Sequence, residues 1–190
     1  MRVSTFFLTT MAAVATHGYK IDPSLPDGIY YIPALNASEK GLNKLFGEPI
    51  RIGDIEYPQT ISGKEFARDV VGEVPVPADT KVCYDATENG VDQSGAKRNL
   101  KDKCNSSTPV PRWHDMQSGI ILSRFASSLA FVCNWSGNLQ LCAPNEIDDS
   151  YSQIAAECNG DTQSGHICAS SWKKCYGHST VTGEICDNDV

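Results

Sequence analysis

Four histidines and a scatter of lysines and carboxylates carry the titratable chemistry of this chain: His17, His114, His166 and His178. Imidazole titrates near neutrality, so it is the first place to look for an acid–base centre. His114 follows Trp113 and precedes Asp115, His166 follows Gly165, and His178 comes shortly after Lys173 and Lys174. Two histidines and a lysine brought together can cleave a phosphodiester by general acid–base chemistry. Composition alone also supplies such a set, and no spacing in the sequence fixes its geometry. Glu146, Asp148 and Asp149 offer paired carboxylates. They also open a helix, where the dipole favours negative charge, and capping explains them. Neither a G-x-S-x-G elbow nor an H-E-x-x-H pair occurs. No catalytic residue is assigned.

The eight cysteines, at 83, 104, 133, 142, 158, 168, 175 and 186, are the second set with chemistry. Zinc sites of this size usually show C-x₂₋₄-C pairs. Here Cys168 and Cys175, seven apart, come no closer than that, and His166 is the histidine at chelating distance from a cysteine. The set is therefore read as four disulfides, with no metal and no cofactor. Sequence does not choose among the 105 pairings that eight cysteines allow. Ser171 to Gly177, SWKKCYG, reads in two ways. Trp172, Lys173, Lys174 and Tyr176 form either an exposed basic-aromatic contact surface or a core tryptophan beside a disulfide with solvated lysines.

These residues need elements to place them. Leu129, Phe131, Cys133 and Trp135 alternate with Ala130, Val132 and Asn134, the period of a strand with a buried face. Ile120 to Leu122 is a second strand or the same one after a bend, and Leu139 to Cys142 returns as a partner after the turn at Ser136-Gly137-Asn138. Ile147, Tyr151, Ile154, Ala155 and Cys158 make one helical stripe, predicting a main helix over 146–158 with Asn145 as its N-cap. Ile167 to Trp172 is a further strand. Upstream, Gly28 to Ile32 is a strand stopped by Pro33. Pro49 to Ile52 and Asp54 to Tyr57 suggest a hairpin about Gly53, and Ser38 to Phe46 a helical turn or two. Residues 85–103 are almost wholly polar, with turn signals at Asn89-Gly90 and Ser94-Gly95, and read as an exposed loop. The loop holds Lys97-Arg98, a dibasic pair of the type cut by kexin-like proteases. Chance pairs are frequent, and release of everything before Asn99 would leave an odd number of cysteines. A nick in a loop with joined ends, for instance by Cys83 and Cys104, fits better. The expected fold class is α+β, a mostly antiparallel sheet carrying the main helix on one face. An all-β sandwich is the alternative.

The chain has 190 residues, 41% hydrophobic and 21% charged, with a net charge of −7. That suits one packed domain and excludes global disorder. Both halves are acidic, −4 for residues 16–80 and −4 for 81–190, so no basic arm is available for nucleic acid. Residues 1–15, MRVSTFFLTTMAAVA, have the charged start, short apolar run and small-x-small end of a signal peptide, predicting a secreted protein without membrane insertion. Residues 16–82 then form a cysteine-free segment expected to pack on the same domain as the disulfide-rich core 83–190, since so short a segment would be marginal alone. Asn36, Asn105 and Asn134 head N-x-S sequons. Asn134, inside an apolar run, is the least accessible of them.

A signal peptide, a cysteine-poor front, the FVCN strand Phe131 to Asn134, an acidic helix ending in Cys158 and the run Ser171 to Gly177 together resemble small cysteine-rich secreted proteins of filamentous fungi. The likeness covers about a third of the chain, and its dibasic pair suits fungal processing. It implies an effector that binds a host protein and modulates plant defence, without a catalytic residue to carry over, acting outside the cell or after uptake into the host. A secreted toxin or antimicrobial protein and an uncharacterised secreted hydrolase are the alternatives. The host partner and the oligomeric state are not given by sequence.

Overall fold

The computed structural model describes residues 18–34, 46–56, 75–104, 115–116, 118–138 and 140–186. In chain order the elements are β1 (Tyr19–Lys20), β2 (Gly28–Pro33), β3 (Ile50–Gly53), β4 (Thr80–Thr87), α1 (Gly90–Cys104), β5 (Asp115–Met116), β6 (Gly119–Phe125), β7 (Ser128–Asn134), β8 (Gln140–Leu141), α2 (Pro144–Glu157), β9 (Gln163–Ala169), β10 (Lys174–Thr180) and β11 (Glu184–Ile185). Seven strands form one antiparallel sheet in the order β3-β2-β6-β7-β10-β9-β4. The class is α+β, with both helices packed on one face of the sheet.

Strand alternation divides the core into two layers. Ile29, Tyr31, Ile121, Val132, Ile167 and Tyr176 face the helices, meeting Leu100 of α1 and Ile147, Tyr151 and Ile154 of α2. Tyr30, Ile32, Ile120, Leu122, Leu129, Phe131 and Cys133 face the other way. That second layer is closed by Ile21, Trp135 and Ile185, with Phe46 set between Tyr19 and Trp135 at ring separations of 5.1 and 5.6 Å. The small β1-β11 ribbon lies beside this layer. A sheet buried on both faces needs long apolar runs, which is why β6 and β7 read GIILSRF and SLAFVCN. The cysteine-free front supplies β1, β2 and β3, and β2 lies one strand in from the β3 edge, paired with β6.

Four expectations about elements are corrected. Residues 85–103 are not an exposed loop: β4 runs to Thr87 and α1 fills Gly90–Cys104. Its buried stripe, Gln93, Ala96, Leu100 and Cys104, has helical spacing but few apolar atoms. Gln93 and Asn99 are buried because their amides are bonded: Gln93 Nε2 donates to the Asp161 carbonyl at 2.6 Å, and Asn99 Oδ1 accepts from Glu56 N at 2.8 Å. Gly95, which looked like a turn residue, is a packing residue. A Cβ there would sit 2.8 Å from the Phe125 ring, so its absence lets α1 lie close on the sheet. Second, α2 starts at Pro144, with Ala143 as N-cap and no side-chain cap. Proline fits the first helical turn, where its missing N–H is not needed, so Asn145 is inside the helix. Third, β3 pairs with β2, and residues 54–56 make no hairpin partner for it. Fourth, β8 pairs with β5, while β7 lies between β6 and β10. The expected turns over 38–46 fall almost wholly outside the described residues, as does the signal segment 1–15.

All eight cysteines are bonded, as Cys83–Cys158, Cys104–Cys142, Cys133–Cys186 and Cys168–Cys175. The suggested Cys83–Cys104 closure is replaced by two bridges that each reach the region of α2, one from β4 and one from the end of α1. Four disulfides point to folding in an oxidising environment, and no helix among the described residues is long and apolar enough to cross a membrane.

Candidate functional site

β10 carries the titratable residues into the interior. Tyr176 and His178 point to the helices, and Gly177 between them faces the second layer. A Cβ on Gly177 would come within 2.6 Å of His166 Cβ and Phe131, so glycine is what permits β9 and β10 to hold these large side chains side by side.

His178 lies under the start of α1. Asn89 caps that helix, its Oδ1 accepting from Val91 N at 2.9 Å, and places Glu88 just before the first turn. The Glu88 carboxylate and His178 are both fully inside the protein, and His178 Nδ1 meets Glu88 Oε2 in a short contact. Gln93 Nε2 also lies 3.0 Å from His178 Nδ1. One ring nitrogen cannot donate to a carboxylate and accept from an amide at once. With Nδ1–H given to Glu88, the Gln93 amide bonds the Asp161 carbonyl, and it is the carboxylate that fixes the ring. The Tyr151 ring stacks on His178, with centroids 4.4 Å apart and planes at 27°, and Lys97 Nζ lies 4.6 Å above the Tyr151 ring. Burial, then the charges of Glu88 and Asp148, hold the Tyr151 phenol well above its ordinary pKa, so it stays protonated. Among the described residues Glu88 Oε1 and the Tyr151 hydroxyl have no hydrogen-bond partner.

His166 is on the opposite face of the sheet. It is wholly buried, and its Nδ1 lies 2.7 Å from the Tyr84 hydroxyl. The sheet itself separates the two histidines. His17 and His114, with Trp113, lie outside the described residues.

Each acidic residue of α2 has its own neighbour. Glu146 Oε2 accepts from Lys174 Nζ at 2.7 Å and from the Tyr176 hydroxyl. Asp149 Oδ2 accepts from Val76 N at 2.7 Å. Asp148 bridges to Lys97 at 2.9 Å and to Lys101, tying α2 to α1. Burial raises the Asp148 pKa, but the hydrogen bonds and charges of Lys101 and Lys97 outweigh it and hold the carboxyl below the usual range. A lowered folded-state value means this bridge stabilises fully above the ordinary aspartate pKa of about 3.9 and is lost as pH falls through the folded value. Asp148→Asn should therefore remove part of the acid limb of a stability–pH profile. The loss at pH 7 should be about 1 kcal/mol or less, because the group is half exposed.

The proposed contact surface is divided by the fold. Lys173 is exposed and Trp172 half-buried, but Lys174 and Tyr176 are inside, Lys174 being 3% exposed. Lys174 Nζ lies 5.1 Å from the Trp172 ring and 5.3 Å from the Tyr176 ring, so the two aromatics and Glu146 enclose its charge. The sequence of this run does not distinguish Lys173 from Lys174. The turn at Lys173, with φ of 53°, does, by sending successive lysines to opposite environments.

Lys97 and Arg98 stand in the middle of α1. Processing proteases take extended chain, so cutting here requires α1 to unfold locally. The oxidised protein is expected to resist a kexin-type protease at this pair and the reduced, unfolded chain to be cut; equal rates by gel would show that α1 opens freely. Asn134 is buried, its amide donating to the Asn138 carbonyl at 2.8 Å and its Oδ1 accepting from Ser136. Asn36 and Asn105 lie outside the described residues. Around His178, sequence reasoning missed Glu88 and Gln93, and it placed Tyr151 on the buried stripe of the main helix without its contact to the imidazole. A signal did exist for α1 in Asn89-Gly90-Val91-Asp92, an N-cap followed three residues later by an acidic residue.

The architecture defines a disulfide-stapled α+β protein with a buried Glu88–His178 pair and, among the described residues, no group of histidines, cysteines and carboxylates arranged to hold a metal. Comparison with protein-family models, curated proteins and solved structures finds no match to this chain.

Proposed function

We propose that this chain is a secreted effector that binds a host protein and modulates plant defence, without catalysing a reaction itself. The observation that carries the reading is the placement of His166 and His178. Each is enclosed, each is held by an internal partner, and they occupy opposite faces of one sheet. An acid–base pair made from these two has no shared substrate position. The alternative of a hydrolase then rests on His17 and His114. Four disulfides and a sheet buried on both faces suit a protein that works outside the producing cell or after uptake into the host, and the fungal resemblance supplies the host. The acidic charge favours a protein partner over a nucleic acid or an anionic membrane.

Infiltration of the oxidised protein into leaves is expected to change the early oxidative burst, and the reduced protein is expected to have no effect. Deletion of its gene should weaken infection. No leaf response together with unchanged infection would overturn the reading. Growth inhibition of competing microbes would favour a toxin. Turnover in a substrate screen that is lost in His114→Ala would favour the hydrolase.

A further inference from the structure

Of the eight cysteines, Cys83 alone is exposed; the other seven are buried. It sits on β4, the strand at one edge of the sheet, and its bond to Cys158 reaches the C-cap of α2. The two sulfurs differ in access. A Cβ on Gly165 would meet Cys158 Sγ and Ile154 Cγ2 at 3.2 Å, so Cys158 is packed between β9 and α2. A thiolate attacks a disulfide sulfur along the S–S axis and forms a mixed disulfide, at a rate that depends on access to that sulfur. Attack on Cys83 comes from the solvent side, whereas attack on Cys158 has to come through the core. The other three bridges join cysteines that are both buried.

The bond also stands where the ladder of β4 lapses. β4 pairs with β9 in regular register from Thr80 to Cys83, then the register shifts, and the next pair is Thr87 with Gln163. Side chains hold the stretch between. Gln163 Nε2 donates to the carbonyls of Tyr84 and Ala86, and the Tyr84 hydroxyl lies 2.7 Å from His166 Nδ1. The staple at Cys83 ties the start of this irregular stretch to α2.

We propose that Cys83–Cys158 is a thiol–disulfide exchange site, which takes a small thiol of the glutathione class at Cys83 and thereby frees residues 84–87 while the rest of the fold stays closed. The thiolate bonds to Cys83 Sγ, the bond to Cys158 breaks, and Cys158 leaves with the electron pair and takes a proton from water. Reattack by Cys158 on Cys83 expels the thiol and closes the bridge again. Attack by a second thiolate removes the first thiol as its disulfide and leaves both cysteines reduced, so two thiols supply the two electrons. The fold outlasts the opening because its other ties stay in place. β4 keeps its regular pairs with β9, and Asp79 Oδ1 still accepts from Ser170 N at 3.1 Å. α2 stays docked by Ile147, Tyr151 and Ile154, and Cys104–Cys142 holds the chain just before it. Lys81 Nζ, 3.2 Å from Glu157 Oε2, keeps β4 beside the end of α2, where Cys158 can close the bond again. The proposal does not rest on the function above, since it concerns one bond and a thiol.

Peptide mapping after incubation with glutathione tests it. The oxidised protein is held in graded glutathione at neutral pH and quenched in acid, and its free thiols are alkylated before mass spectrometry. Glutathione is expected on Cys83 and the alkyl group on Cys158, at a rate about tenfold or more above that of any other cysteine. At that stage the far-UV circular dichroism should be unchanged. Amide exchange should quicken over residues 84–87 and not in the ladder between β9 and β10. The proposal is overturned by no adduct at all, by an adduct that falls first on another bridge, by one that forms only as the helical signal is lost, or by exchange over 84–87 that does not change.

Discussion

His178→Leu is expected to lower folding stability by about 3–5 kcal/mol, measured by urea unfolding of the oxidised protein at neutral pH. The substitution preserves side-chain bulk beneath α1, so lost volume is a small part of the effect. What it removes is the partner of Glu88, whose side chain has no exposure in the fold. A carboxylate left alone in the interior must stay charged at high cost or take up a proton. Either way the native state loses free energy that the unfolded chain does not. The pair itself need contribute little. Two charges or dipoles buried together roughly offset their own desolvation, and apolar replacements of both are often tolerated. Glu88→Met on the His178→Leu background should therefore recover most of the loss. That recovery separates an orphaned carboxylate from a merely disturbed core. A single-variant loss below about 1 kcal/mol, or a double variant no better than the single, would mean that Glu88 carries no buried charge in the native protein.

Much of the sheet was legible because β6, β7 and the stripe of α2 state their burial in apolar residues at periods of two and 3.6. Helix α1 was not, because two of its six buried residues are amides and another is a glycine. Gln93 and Asn99 look like solvent residues until the carbonyl of Asp161 and the amide of Glu56 are known to meet them. Those partners are 68 and 43 residues away, a separation on which local pattern is silent. The same limit hid Glu88 beside His178, which stand 90 residues apart. Lys174 shows a different failure. Its type and its neighbour Lys173 both said surface, and the turn that sends it inward is a backbone property with no composition of its own. The histidines could be named from sequence, but the face each would occupy depended on the register of β9 and β10. In that register His166 lies opposite Gly177, and His178 opposite Gly165. Each histidine is matched to a glycine, so close packing, rather than a cleft, is what that spacing encodes.

Of the four disulfides, Cys133–Cys186 is expected to matter far more than Cys168–Cys175, although both lie wholly in the second layer. Cys168 and Cys175 are register partners on adjacent strands, and their bond closes only seven residues. Removing it frees little chain entropy, about 2 kcal/mol on the loop-closure relation. Cys133–Cys186 closes 53 residues and should cost about 4 kcal/mol when both are changed to alanine. Its loss has a local consequence as well. Cys186 follows β11 directly, β11 pairs with β1, and Ile21 and Ile185 pack with Trp135 over the second face of the sheet. Cutting the bond leaves β1 and β11 to hold that cover by two residue pairs, less than an isolated ribbon needs in water. In Cys133→Ala/Cys186→Ala, the amides of residues 19–21 and 184–186 should exchange faster than the rest of the sheet before global unfolding, and Trp135 fluorescence should shift toward that of a solvated indole. In Cys168→Ala/Cys175→Ala the cover should stay closed, because β9 and β10 keep their ladder without the bond. Equal losses in the two variants would mean that strand pairing, and not chain entropy, sets what each bridge contributes, and an unchanged Trp135 signal would mean that the front holds the second layer without its staple.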